Sequence, residues 1–215
     1  MKRYLYLLPL LFLATIISCS TNQSIAGKRP AKHMFYFPLN TAKHDPNHPW
    51  GVENKLDSFT NTWYSKHLHT LKEPILYNLE NDSIEIYRYT HLGTWSHPYV
   101  IRIEKTKTST TITLKNSTGL GGYQTGHLKV NNKFSLRETE FEKIKQKLHD
   151  IKFDTITTHA SSGLDGEECI IEVLSNGEYK FVNRWSPYNN EVERNKEFVE
   201  LIELFHTTFN DTAKL

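Results

Sequence analysis

Residues 170–185 read IIEVLSNGEYKFVNRW. Two β-prone runs flank Asn176-Gly177, the residue pair best suited to the two positive-φ positions of a type I′ turn, so the segment predicts a two-residue β-hairpin. Such a turn sets the register. Ser175 faces Glu178, Val173 faces Lys180, Ile171 faces Val182 and Cys169 faces Arg184 on one side of the sheet, while Glu172 with Phe181 and Leu174 with Tyr179 occupy the other.

Strands also lie upstream. SIEIYRY at 83–89, PYVIRIEK at 98–105 and STTITLK at 109–115 are rich in β-branched residues, nearly alternate, and are joined by polar turns, the pattern of an antiparallel meander. A fourth strand is expected near GYQTGHLKV at 122–130. Three helices complete the pattern. Leu56, Phe59, Trp63, Leu68 and Leu71 fall near helical spacing over 54–71, before Pro74. Ser135-Leu136-Arg137-Glu138 has the form of a capping box and predicts a helix over 136–149 with Phe141, Ile144 and Leu148 on one face. A last helix, about 191–206, follows Pro187, is capped by Asn190 with Glu193, and carries Val192, Phe198, Leu201, Ile202 and Phe205. The expected fold is α+β: an antiparallel sheet of meander plus C-terminal hairpin, with about three helices packed mainly on one face. The chain has 215 residues and 12% aromatics, which suits a single domain over 34–215 with a ring-rich core. Its lead, MFYFPLNTAKHDPNHPWG at 34–51, is broken by prolines and is expected to lie across the domain.

The first eighteen residues, MKRYLYLLPLLFLATIIS, have a basic start at Lys2 and Arg3, an apolar run and a small residue before Cys19, the layout of a secretory signal over 1–18. The run is shorter than the ~20 residues of a spanning helix and contains Pro9. Ile16-Ile17-Ser18-Cys19 resembles the lipobox of bacterial lipoproteins, which implies cleavage before Cys19, its acylation, and membrane attachment through that lipid. Residues 19–33 then form a polar tether. Ser20, where aspartate would resemble an inner-membrane retention signal, favours the outer membrane facing the periplasm. Loss of Lys2 and Arg3 with the signal leaves 24 basic and 24 acidic residues, so neither charge nor a basic-aromatic cluster points to nucleic acid. Cys169 becomes the one unmodified thiol, without a disulfide partner in the chain.

Candidate chemistry is sparse. A nucleophilic cysteine needs a base and a partly open setting, whereas Cys169 sits among Ile170 and Ile171 and reads as a small buried hydrophobe. GLDGEE at 163–168 brings Asp165, Glu167 and Glu168 together without the spacing of a calcium loop, and reads as a tight turn with Asp165 placed to meet an arginine. The histidine pairs His44/His48 and His67/His69 lack metal-site spacing and nearby cysteines. STGLGGYQTG at 117–126 misses the phosphate-loop and dinucleotide patterns and reads as a wide turn or bulged strand. No Gly-x-Ser-x-Gly elbow is present. No metal and no cofactor are implied. What stands out is a basic-aromatic set: Arg88, Arg102 and Arg184 in predicted strands with Tyr87, Tyr99, Phe181 and Trp185 beside them. With Asp165 and Glu168 these form either a binding cluster or an ion-pair network that also uses Glu104.

IYRYTHL, HPYVIRIEK, GLGGYQTGHL, the helix after Ser135 and above all GLDGEECIIEVLSNGEYKFVNRWSP resemble a family of uncharacterised bacterial proteins over about residues 83–206. The resemblance implies a shared α+β fold and carries no activity. The expectation is therefore a lipid-anchored envelope protein that binds a protein or small molecule through the sheet face or the loops at 91–98 and 161–168. Two alternatives stand beside it: an envelope hydrolase using Asp165 or Glu168 with a nearby histidine such as His97 or His159, and a protective, immunity-like partner of a toxic protein.

Overall fold

The computed structural model describes residues 31, 33–40, 55–79, 81–158, 163–189 and 194–214. The Asn176-Gly177 turn forms as its chemistry requires, with φ of 53° and 75°, and joins Glu167–Ser175 to Glu178–Trp185 in the expected register, Cys169 opposite Arg184 and Glu172 opposite Phe181. In chain order the elements are α1 (Ser58–Thr70), β1 (Glu85–Gly93), β2 (Tyr99–Lys105), β3 (Thr110–Ser117), β4 (Leu128–Ser135), α2 (Glu138–Asp150), β5 (Glu167–Ser175), β6 (Glu178–Trp185) and α3 (Asn195–Ala213). The meander and the hairpin join into one six-stranded antiparallel sheet of order β4-β3-β2-β1-β5-β6. The fold is α+β.

Strand alternation splits this sheet into two unlike faces. On one face Tyr87, Tyr89, Ile101, Ile103, Ile171 and Val182 pack under α2 and α3, through Phe141, Ile144, Phe198, Leu201 and Phe205. On the other, Leu92, Val100, Ile170 and Phe181 meet α1 and the segment at 36–37. Two of the three helices thus share a face. The described part of the lead, residues 34–40, packs against the domain: Tyr36 and Phe37 are buried, and the Phe37 ring stands edge-on to Phe181 at 5.2 Å, while 41–51 lie outside the described residues.

Several boundaries differ from the sequence reading, each for a local reason. The fourth strand starts at Leu128, because the glycine-rich stretch closes into a loop in which Thr118 N–H donates to His127 O at 2.9 Å and Leu120 N–H to Gln124 O at 2.9 Å. The pairing of β3 with β4 shifts at Asn116/Ser117, so that loop ends in a bulge. Ser135 is taken by that strand, opposite Thr111, and the capping box does not form. Arg137 is the N-cap of α2 without a side-chain cap, and Glu138 reaches instead to Lys105 and Thr110. Asp57 caps α1, its Oδ1 accepting from Phe59 and Thr60 N–H. The buried side of α1 carries Asn61, Tyr64, Ser65, His67 and Leu68, whereas Phe59 of the expected apolar stripe is 72% exposed. Polar residues face inward there because they satisfy the backbone of the lead. Asn61 Nδ2 donates to Phe37 O at 2.7 Å, and Ser65 Oγ accepts from Tyr36 N–H at 2.8 Å. Val192 and the proposed caps of the last helix, Asn190 and Glu193, lie outside the described residues, as do His44, His48, His159 and Cys19.

Candidate functional site

The first candidate is the arginine set. Arg88 on β1 is 0% exposed and lies opposite Arg102 on β2 and Glu172 on β5. Its guanidinium grips Glu172 in a bidentate pair, Nε to Oε2 and Nη2 to Oε1, each at 2.6 Å. Its third nitrogen, Nη1, reaches Pro74 O at 2.8 Å and Glu73 Oε2 at 3.3 Å. Glu73 is delivered by the end of α1: Lys72 takes a left-handed φ of 54°, and Glu73 N–H bonds Leu68 O at 3.0 Å, a Schellman stop that turns the side chain inward. There it also meets Arg102 Nε at 3.2 Å and Lys115 Nζ at 2.7 Å. Arg102 Nη1 meets Glu104 at 2.8 Å, and Tyr179 OH donates to Glu172 at 2.9 Å.

Three cations and three carboxylates therefore close on one another beneath the sheet's α1 face. Against the penalty of burial, the charges of Arg102, Lys115 and Arg88 hold Glu73 down to about 2. With its donors consumed internally and its partners buried, this cluster is a structural tie between the α1 stop and the sheet. The expected ion-pair partners of the arginines are corrected accordingly. Glu104 takes part, whereas Glu73 and Glu172 hold the places anticipated for Asp165 and Glu168. Arg184 does not join the set, because it sits across from Cys169 on the opposite face.

GLDG and Trp185 form a second locality. A Cβ on Gly166 would stand 2.4 Å from the Trp185 ring, and one on Gly163 would stand 2.8 Å from its Nε1, so both glycines let the loop lie flat on that indole. Asp165 accepts the indole N–H of Trp95 at 2.9 Å. Glu168 points to the α1 face, where Asn183 Nδ2 donates to it at 3.4 Å, and burial raises its carboxyl to about 7 against hydrogen bonds from Tyr64 and Asn183. His97 turns to Gly119 O at 2.7 Å and so meets neither acid. Cys169 is fully buried, and burial pushes its thiol well above the ordinary range despite the Tyr89 hydroxyl at 3.4 Å, so it is an inert core residue.

Between these loops lies an open cleft of ≈ 390 Å³, walled by residues 93–96 and 165–167 and lined also by Ser186 and Asn189. Backbone bonds brace it: Thr94 N–H to Gly166 O at 2.7 Å, Ser186 N–H to Glu167 O at 2.8 Å and Gly121 N–H to Ser96 O at 3.1 Å. The glycine-rich 118–126 loop also supplies Tyr123, whose ring lies 5.0 Å from that of Trp95; both rings are exposed, as is Leu164 at 96%. On the cleft wall Ser96 Oγ lies 2.9 Å from His91 Nε2, and His91 Nδ1 lies 3.6 Å from Glu167 Oε2. The His91 ring stacks on Tyr99 at 4.7 Å, and burial with His206 nearby lowers it to about 4, so it stays neutral. Gly93 makes this meeting possible, since a Cβ there would stand 2.1 Å from Ser96 Oγ.

Neither Ser96 nor His91 was marked by sequence reasoning, although both lie within the 91–98 loop that was. No family model, curated protein or solved structure matches the chain.

Proposed function

We propose that this chain is a lipid-anchored envelope protein, acylated at Cys19 and held at the outer membrane facing the periplasm, whose domain serves as a binding module at the cleft between residues 93–96 and 165–167. The observation that carries the reading is the contrast between the two candidate sites. The arginine cluster is filled by its own carboxylates, whereas the cleft is open, braced by main-chain bonds and rimmed by exposed Trp95 and Tyr123. Ligand sites combine such aromatic surface with a few convergent polar groups, here Ser96, Asp165 and Asn189.

The test is site-specific photocrosslinking in intact cells, with benzoylphenylalanine placed at Trp95, Tyr123 or Leu164 and, as control, at exposed Lys143 on α2. Adducts from the cleft positions and none from Lys143 are expected. Absence of any adduct around the cleft, or equal capture at Lys143, overturns the reading. For the anchor, Cys19→Ala leaves the precursor without acyl label, and unchanged labelling overturns the lipoprotein assignment.

A further inference from the structure

The cleft wall holds more than binding groups. In the tautomer with the ring proton on Nδ1, that nitrogen faces the Glu167 carboxylate at 3.6 Å and the Tyr89 hydroxyl at 3.5 Å, which can turn its own proton to Cys169 Sγ at 3.4 Å. That leaves Nε2 as an acceptor, 2.9 Å from the hydroxyl of Ser96. The three residues come from the end of β1, the β1–β2 connection and the start of β5. Their order of contact, hydroxyl to imidazole to carboxylate, is the arrangement by which a serine is made nucleophilic, and such arrays are recognised by geometry rather than by chain order. A structural hydroxyl would be expected inside the fold, yet Ser96 is exposed and lines the cleft, while His91 behind it is only 8% exposed. Gly93 is the one residue small enough to leave the serine and imidazole in contact.

We propose that Ser96, His91 and Glu167 form an acyl-transfer site that hydrolyses carboxylic esters of small acyl groups on polar alcohols. Ser96 is the nucleophile, His91 the base and Glu167 the positioning residue. The cleft's size, at the low end of ligand sites, admits a small acyl group, and Trp95 with Asp165 and Asn189 offers one apolar face and several hydrogen-bonding groups to the alcohol. In the first step the Ser96 proton passes to His91 Nε2 as a bond forms between Oγ and the acyl carbon. The ester C–O bond breaks, and the leaving alcohol takes that proton from His91. Water, deprotonated in turn by His91, then attacks the acyl-serine, releases the carboxylic acid and restores Ser96.

The inference rests on reading this cleft as the ligand site, and the test separates the two. The mature lipoprotein in detergent is treated with a tagged fluorophosphonate and, in parallel, with p-nitrophenyl acetate, and the labelled serine is found by peptide mass spectrometry. Labelling at Ser96 and ester hydrolysis lost in Ser96→Ala are expected, with both rates falling roughly 10²-fold or more in His91→Gln. Glu167→Gln, whose amide can donate to Nδ1 and turn the ring's tautomer, should slow both reactions with the thermal midpoint unchanged, which a purely structural role would not do. It also serves if His91→Gln does not fold. Ser96 labelling no faster than Ser109, an exposed serine of the β2–β3 turn, overturns the proposal, as does a wild-type rate in folded His91→Gln. A protein that crosslinks at Trp95 while Ser96 stays unlabelled is a binder without this chemistry; one with neither loses both readings.

Discussion

The two faces of the sheet are held by different physics. Under α2 and α3 the contacts are apolar, with rings such as Tyr87 and Phe141 stacked at 5.3 Å, and the stabilisation is the non-directional removal of hydrocarbon from water. Under α1 the largest buried side chain is an arginine, and the interface is knitted by Glu73, Arg102, Lys115, Glu172, Asn61 and Ser65. Buried charges pay for desolvation and return little net stability, so that face cannot be the main source of folding energy. What it supplies is position. Each charged group has one geometry that satisfies it, and together they pin the α1 stop at Lys72-Glu73-Pro74 to β1, β2 and β3. On the polar face a single truncation leaves a charge or a backbone group without its partner.

The largest effect tests this difference directly. Glu73→Ala removes the carboxylate shared by Arg88, Arg102 and Lys115 and should cost about 3–5 kcal/mol, the range for orphaning a buried charge. Phe205→Ala on the other face should cost a similar 3–5 kcal/mol through a cavity. The two part company on rescue. Replacing Arg88 and Glu172 together by Met and Leu restores most of what either single change loses, because neither charge is left unpaired. Urea denaturation reads all five variants. A cost below ~1 kcal/mol for Glu73→Ala, within the range of an exposed pair, would show that the cluster is not a structural tie.

How much of this the sequence disclosed follows the same division. The hairpin was legible because Asn-Gly chemistry is local and a period of two then dictates every partner from Cys169/Arg184 to Ser175/Glu178. The apolar face was legible too, since Phe141, Ile144, Phe198, Leu201 and Phe205 lie at helical spacing and are buried. The polar face was not. Reading Phe59 as inward follows from treating helix burial as apolar, and α1 breaks that rule because Asn61 and Ser65 face a backbone segment, not a core. Glu172 becomes the partner of Arg88 only once β5 is known to lie beside β1, a pairing 84 residues apart that no local pattern encodes. A lone glutamate wedged between a helix stop and Pro74 was the one available hint of Glu73. For the cleft, the loops at 91–98 and 161–168 were named, but the contact between His91 and Ser96 was not. His91 and Ser96 both read as residues of the 91–98 loop, whereas β1 runs on through His91 to Gly93, and their contact depends on the absent side chain of Gly93.

A second prediction concerns pH. Glu168 lies on the α1 face with its carboxyl raised by burial to about 7, above its unfolded value, so its contribution is intact below the unfolded range and is lost as pH rises through 7. His67, buried on the same side of α1, has the opposite sign. Burial lowers it to about 4, so its stabilisation is present above the unfolded histidine value and is lost as pH falls toward 4. Between those limits the two oppose each other. Glu168→Gln, which mimics the protonated acid, removes one arm. It should leave stability nearly unchanged at pH 4.5 and raise it at pH 8 by up to about 3 kcal/mol, a ceiling because Glu168 keeps part of its surface in solvent. Thermal melts across that range give the answer; a gain of equal size at both ends would show that the ionisation of Glu168 is not what the face resists.

The smallest effect locates the boundary between the two regimes. Asn61 is fully buried and serves Phe37 twice, donating to its carbonyl at 2.7 Å and accepting its N–H at 3.4 Å, while Ser65 Oγ donates to the same amide oxygen at 3.0 Å. Asn61→Ala strands those backbone groups and should cost about 1–3 kcal/mol, the penalty for a buried polar group left without a partner. The loss should also be local. Hydrogen exchange at residues 36, 37 and 39 should speed up markedly while amides of β1 and β5 keep their protection, because the lead is held to α1 by these bonds and packs on the sheet through Tyr36 and Phe37. Uniform acceleration across the sheet would mean that the lead and α1 unfold together with the apolar face, and that the two faces form one cooperative unit despite their different chemistry.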